Sequence, residues 1–597
     1  MTNVFTKSDD FKSEYSSAVV RVGELTPVEG SDFLAKTLVL GTQIVVRKDQ
    51  VKEGDIMVYA ANETQLNERF LSVNNLFEIS CRDKNANADE VAAIMAEYEP
   101  IKAQADKKRS EAKSIKGLME SYTKKSQKIE KTIKKKEKDA EMVKDDAEAY
   151  AVATQEIPEL RAKADEYVAK AMELTTQYVN LKKEVEEIVK SGEHIVTEAK
   201  KHCGFFNKYG RVRCLTLKGC PSFGVLFKPE DLIRFDPSVT LEDIVAYEGQ
   251  EFDTVNGELF VTVYVPPVKE CPERSSGQNK AQKKINRFDR MISGEFFLHY
   301  ETTQLQKTIQ FFNPEDVVDI SVKRHGTSII IGNVRVKVPL KLPFFQRIFN
   351  KFVDTTGLFR KWRIKDWIEN YGPVYSSRKI IKNRYINKDA GQGFYKKDVW
   401  SEWGDIVYPY LPQGMTVYGE ICGYVTGTES MIQKTYDYGC EVGDNNLMIY
   451  RITTTNEDGS KKEWEITDVK AWTENLIERM KRTENLMEKS DENWKRIHPI
   501  DLLYHGSLKD LYPDLDTENH WHENLLERMK NDKEHFGMEE NEPMCTHYQS
   551  PREGIVLRRV GDITPSAWKL KSYSFFLGES IRISENEVDI ETLEGYY

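Results

Sequence analysis

The chain has 597 residues, 31% of them charged, and a formal net charge of −11. That length predicts several domains, and the 39% hydrophobic fraction can supply packed cores. The acidic balance excludes a wholly basic nucleic-acid coat protein but leaves room for a local basic groove. No apolar run approaches the roughly 18 residues of a membrane span, and residues 1–10 lack the core of a signal peptide, so a cytoplasmic protein with no membrane partner is expected.

Residues 12–80 read as short strands. Ser17-Ala18-Val19-Val20-Arg21-Val22 and Thr42-Gln43-Ile44-Val45-Val46-Arg47 are rich in β-branched residues, and Gly54-Asp55 marks a turn before Ile56-Met57-Val58-Tyr59. Strand pieces divided by Gly and Asp turns predict a small barrel. Residues 211–227 resume that style. Between them, over about 85–202, the pattern becomes helical. Leu160, Tyr167, Leu174, Leu181, Ile188 and Ile195 repeat every seven residues, with Ala164, Ala171, Tyr178 and Val185 as partner positions. Ile94, Ile101, Ile115, Tyr122 and Ile129 form a similar stripe with Tyr98, Ala105, Ala112, Met119 and Ile133, interrupted at Lys108. Two such stripes predict an antiparallel coiled-coil hairpin turning between about 140 and 158, with Pro158 restarting a helix. Its stripes satisfy each other, so a monomer is expected.

Lysines crowd residues 124–138, with only Glu130 and Glu137 against them; a solvated face and a phosphate-contacting arm both fit. The eight cysteines form no CxxC pair. His202, Cys203, Cys214 and Cys220 cluster at a spacing that fits no common zinc module. Residues 236–290 read as a linker with some strand. Basic and aromatic residues interleave from Phe344 to Trp367, as a strand-binding surface or an amphipathic surface helix. Residues 470–535 read as helical.

The C-terminal half carries short motifs in a fixed order: Lys323-Arg324-His325-Gly326, Tyr418-Gly419-Glu420, Glu553-Gly554-Ile555-Val556 and Lys569-Leu570-Lys571. Asp319–Lys323 alternates like a strand, and Gly326 supplies a turn that would present the Lys323 amine at the mouth of a sheet. Lys569 and Lys571 alternate along a strand and so face one side, which suits two cations on one phosphate or two solvent-facing lysines equally.

The order resembles the covalent nucleotidyltransferase superfamily of ATP-dependent DNA and RNA ligases and mRNA capping enzymes. Val322–Ser328 is similar to the RNA-ligase form of the first motif, with His325 where DNA ligases carry Asp, and Pro551–Arg558 is similar to the fourth. Leu298–Leu305, Leu502–Gly506 and Trp521–Asn524 also resemble the nick-sealing RNA ligases that place an OB domain first. The resemblance spans residues 1 to about 82 and about 203 to 597.

Together with the heptad stripes, it implies an α+β protein: an N-terminal OB-like β-barrel interrupted by a long antiparallel coiled-coil hairpin, then an adenylyltransferase (ATP-grasp-like ligase) domain with antiparallel sheets and peripheral helices. The expected boundaries are 1–84 and 203–235 for the OB-like domain, 85–202 for the insertion, 236–290 for the linker and 291–597 for the catalytic domain. The resemblance further implies Lys323 as nucleophile, Glu420 on the ribose, Glu553 on a catalytic Mg²⁺ or Mn²⁺, Lys569 and Lys571 on phosphate, and Arg378, from Tyr375–Lys379, near the phosphates of ATP. Tyr450, within Asn446–Ile452, matches the ring that stacks on adenine. The family has Asp after that ring and this chain has Arg451, so a core tyrosine is the other reading. The implied activity joins a 3′-hydroxyl to a 5′-phosphate on nicked RNA or an RNA-containing duplex. A capping guanylyltransferase and an inactive nucleic-acid-binding scaffold are the alternatives; the early OB position and His325 favour the ligase.

Overall fold

The computed structural model describes residues 4–145, 147–265, 290–300, 302–340, 342–357, 359–382, 395, 397–487, 492–562 and 566–584. In the N-terminal part, β1 (Ser17–Arg21), β2 (Leu34–Val39), β3 (Thr42–Arg47), β4 (Ile56–Ala60) and β5 (Thr64–Leu66) are short, as their Gly and Asp turns require. β2 and β3 form an antiparallel hairpin with Thr26–Pro27 at its edge. β1 pairs β4 antiparallel. Val19, Val58, Phe70 and Phe252 lie at the centre of the core beneath.

The chain leaves this unit through two long helices. α1 (Glu99–Glu141) and α2 (Ile157–Ser191) run as a hairpin whose turn falls where the heptads fade. Ala105, Ala112, Ser126, Ile133 and Ala140 are the buried side of α1, and Ala164 faces them from α2. Lys108 does not interrupt the seam. It occupies a seam position, and its long stem reaches Glu184 of α2 at 2.8 Å.

After the hairpin the chain rejoins the same sheet: β6 (Val225–Phe227) pairs β4, with Leu226 opposite Tyr59. The two ends of the insertion are stitched together by Gly204 N–H to Phe77 O and Phe206 N–H to Leu76 O. A side chain at Gly204 would bring a Cβ to 2.2 Å from the Leu76 carbonyl, so the two strands can approach this closely only with glycine there. The expected linker begins later than the sequence suggests. β7 (Glu251–Phe252) pairs β1, Thr254–Val255 pairs Phe5–Thr6, and β8 (Val261–Val263) pairs β5. Residues 236–265 therefore belong to the N-terminal unit. Their strands are two or three residues long, too short to show a period of two. The rest of the expected linker, 266–289, lies outside the described residues.

The C-terminal half holds two sheets. The first runs β11 (Trp367–Ser376), β10 (Thr327–Pro339), β12 (Met415–Gly423), β13 (Asn445–Thr455) and Lys461–Glu463. Helix α3 (Val399–Val407) buries Trp400 and Trp403 against it. The second runs Thr303–Gln304, β16 (Trp568–Lys571), β15 (Gly554–Arg559), β9 (Val317–Lys323) and β14 (Leu502–Ser507). The stretch expected to be helical over 470–535 thus contains a strand. Ile466–Leu486 and Trp521–Asn531 are helices, while β14 pairs β9. No described helix is long and apolar enough to cross a membrane.

Candidate active site

The two C-terminal sheets and the start of the N-terminal unit enclose a cavity of about 360 Å³. Lys323, Arg378, Glu420, Tyr450, Glu553, Lys569 and Lys571 all line it. Register explains half of this convergence. Lys323 at the end of β9 sits opposite Gly554 on β15, and Gly554 sits opposite Lys571 on β16. Glu553, one residue before β15, therefore lies between two lysines from neighbouring strands. Its Oε1 is 2.8 Å from Lys323 Nζ and 3.5 Å from Lys571 Nζ. Burial alone would raise the Glu553 carboxyl, but Lys323, Lys571 and His325 together hold it down at about 2. Its other oxygen, Oε2, is buried and accepts no hydrogen bond. His325 Nδ1 stands 4.0 Å from it. Burial, against the pull of Glu553, drives His325 down to about 3, so its ring is neutral at pH 7.

The turn after Lys323 joins this row to the other sheet. Glu420 on β12 pairs Ser328 of β10 and accepts the Gly326 N–H at 3.1 Å. A Cβ at Gly326 would lie 2.3 Å from the Ile421 carbonyl, so glycine alone lets the turn press against β12.

Tyr450 reaches the cavity through a β-bulge. Tyr418 pairs Arg451 and Gly419 pairs Ile449, leaving Tyr450 as the extra residue. A bulge re-aims the side chain it carries. The Tyr450 hydroxyl stands 3.4 Å from Ser328 Oγ, and its ring centroid is 6.0 Å from that of His299. Arg451 serves elsewhere. It is buried between the rings of Tyr300 and Tyr418 and holds Glu463 at 2.6 Å. Tyr450 is half-buried at the cavity wall.

Both late lysines are engaged by carboxylates. Lys571 faces Glu579 at 3.3 Å as well as Glu553; burial opposes its charge, but the two carboxylates raise it above the ordinary lysine range. Lys569 meets Glu14 of the N-terminal unit at 2.7 Å. Burial lowers Lys569 and Glu14 acts against that. Glu14 and Tyr15 enter the cavity from a single turn at Ser13–Tyr15, and nothing in the local sequence announces them. His299 is a second addition. It lies within Leu298–Leu305, a stretch singled out by resemblance but given no chemical role. Its Nδ1 is buried without a hydrogen-bond partner, and burial together with Arg378 and Arg451 pushes the ring well below the usual histidine range.

The basic and aromatic residues from Phe344 to Trp367 stand apart. They join β10 to β11 at the Pro339–Trp367 end, whereas Thr327 and Ser376 mark the end near Lys323. At about 3.4 Å per residue the strand carries them on the order of 40 Å away. The helix Phe344–Thr356 buries Asn350 and Val353, and leaves Phe344 and Phe345 in solvent.

No protein-family model and no curated protein matches the chain. Solved structures of an RNA ligase from Naegleria gruberi are similar to it. A mutant without ligand aligns over 95% of this chain and 98% of its own, at 11% identity and a TM-score of 0.40. A mutant bound to AMP and Mn covers 94% and 97%, at 12% identity and 0.41. A third, with ATP and Mn, covers 96% and 99%, at 11% and 0.40.

Among the described residues no three His, Cys, Asp or Glu side chains form a metal cluster. Glu553 nevertheless suits a hard cation. One buried carboxylate oxygen lacks a partner, and Mg²⁺ binds through one or two carboxylates together with substrate phosphate oxygens.

Proposed function

We propose that this protein is an ATP-dependent RNA ligase that joins a 3′-hydroxyl to a 5′-phosphate, at nicks, through a lysyl–AMP intermediate. The observation that carries the reading is the row Lys323, Glu553, Lys571, set by strand register beside Glu420 and Tyr450 in one cavity. A free lysine amine has a pKa of about 10.4 and must give up its proton before it can attack. Lys323 then forms an N–P bond to the α-phosphorus of ATP as the α–β phosphoanhydride bond breaks and pyrophosphate leaves. Lys569 and Lys571 neutralise phosphate charge, which requires the nucleotide to displace carboxylates such as Glu14. Glu420 takes the ribose, Tyr450 the adenine face, and Arg378 a phosphate. Mg²⁺ or Mn²⁺ held by Glu553 would supply further positive charge at the phosphate oxygens. AMP then passes to the 5′-phosphate of the strand, and attack by the 3′-hydroxyl releases it.

The N-terminal strands form the OB-like domain that holds nicked RNA or an RNA-containing duplex across the cavity, and the helical hairpin is an antiparallel coiled coil. The protein is a cytoplasmic monomer in this reading. Incubation with labelled ATP and a divalent metal should leave acid-labile AMP on Lys323, with none on a folded Lys323→Ala variant. Wild-type labelling of that variant overturns the assignment, and labelling by GTP in place of ATP would make the protein a guanylyltransferase.

A further inference from the structure

The helical hairpin carries a cationic track that the pocket does not use. Lys124, Lys128, Lys131, Lys135 and Lys138 follow one another at spacings of four and three residues along α1, and all five are exposed. That spacing stacks them on one helix face, each about 5–6 Å from the next. Fourteen residues at about 1.5 Å per residue make a line of roughly 21 Å. The buried residues of the same stretch, Ser126, Ile133 and Ala140, define the seam toward α2. At about 100° per residue the lysine line points directly away from that seam.

Several other cations of the hairpin are paired along or across the helices: Lys102 with Glu99, Arg109 with Asp106, Lys116 with Glu120, Lys170 with Glu166, and Lys136 with Glu156. Among the described residues none of the five lysines in the line has such a partner. Like charges at these spacings repel and destabilise an isolated helix. An arrangement that repels itself, in a chain of net charge −11, is accounted for by a linear polyanion laid along it.

We propose that this face of α1 binds the phosphate backbone of the RNA substrate at a distance from the cavity. Which polyanion it is rests on the ligase reading above; that it is a polyphosphate strand rests on the line itself. An anionic lipid surface fits less well. A helix lying on lipid needs apolar side chains beside its cations, and here Ile129 and Ile133 are turned into the seam. The line begins 25 residues after Glu99, so at about 1.5 Å per residue it lies roughly 38–58 Å out along the helix. It would therefore grip the substrate well away from the reacting ends and leave the nucleotide step alone.

The test uses the full chain with all five lysines changed to Gln, a good helix former that removes the charge, and a second variant with all five changed to Arg. Binding to a nicked RNA duplex of about 40 base pairs is measured against salt concentration. Each phosphate contact contributes about 0.7–0.9 to the slope of log affinity on log salt. The Gln variant should lose about 3.5–4.5 from the slope and bind at least tenfold more weakly at about 0.1 M salt; the Arg variant should match wild type. Labelling of Lys323 by ATP should be the same in all three. An unchanged slope and affinity in the Gln variant overturn the inference, and so does loss of binding to anionic vesicles with RNA binding intact. If the wild type forms no nucleotide adduct yet the slope falls as stated, the polyanion track stands and the ligase reading fails.

Discussion

In the helical hairpin each seam residue lies three or four positions from the next, and Ala105, Ala112 and Ile133 are buried by contacts with one neighbouring helix. In the cavity the row Lys323, Glu553, Lys571 is drawn from three strands whose sequence positions span residues 317 to 571. Apart from its lysine line, the hairpin carries several exposed charge pairs that contribute little each. The cavity buries one carboxylate between two ammonium groups and leaves one of its oxygens unpaired. A buried pair broken on one side strands an uncompensated charge, so the same kind of substitution should be costly in one region and nearly silent in the other.

The sharpest break of that contrast is Glu553→Ala. It leaves Lys323 and Lys571 facing each other without their shared anion, and adenylylation should fall at least about a hundredfold, or about 2.7 kcal/mol in barrier. Single-turnover labelling measures this, and a rate within threefold of wild type would show that the row is structural. Glu420→Ala, Lys569→Ala and Lys571→Ala should each cost about tenfold in ligation, or about 1.4 kcal/mol. Lys569→Ala also frees Glu14, so it should raise the fraction of protein in which the N-terminal unit is cleaved by protease near Ser13.

Acid should separate the regions next. His325 is held neutral down to about 3 in the folded protein, while an unfolded histidine takes up its proton near 6.5. The unfolded state therefore binds more protons between those values, and stability falls as pH drops from about 6.5 toward 3. Glu553, held at about 2 against an ordinary 4.5, adds stability above 4.5 that is lost as pH falls from there toward 2. Both act in the same direction. Denaturant titrations from pH 7 to 4 should show the loss, and His325→Gln should flatten the part above pH 5; an unaltered slope in that variant assigns the effect to other groups.

The smallest effects belong to the hairpin. Replacing 99–191 by a Gly/Ser linker should leave adenylylation within about twofold, because the stitching at Gly204 and Phe206 lies outside the cut. Loss of labelling in a folded deletion would mean that the hairpin packs on the catalytic half. Lys108→Ala removes a partly exposed pair with Glu184 and should leave the thermal midpoint nearly unchanged by calorimetry.

The two regions were unequally legible. The heptads located both long helices and their turn, because a seam made of local repeats is written along the chain. The motif order named every one of Lys323, Arg378, Glu420, Tyr450, Glu553, Lys569 and Lys571, and all line one cavity. Residues 251–263 look like linker in the sequence because two-residue strands carry no period. β14 looks helical in the sequence because its neighbours on both sides are helical.

By itself, then, the sequence determined the helical hairpin, the presence of strands around each motif, and the set of side chains available for chemistry. These depend on local spacing and residue type. Only the tertiary structure decided that Glu553 sits between Lys323 and Lys571, that a bulge turns Tyr450 into the cavity while Arg451 is sealed with Glu463, and that Glu14 arrives from the N-terminal unit to meet Lys569. Each of those is a matter of strand register or domain contact between residues far apart in the chain. A shift of one residue would send every side chain of a strand to its other face, and no local pattern records which register is taken.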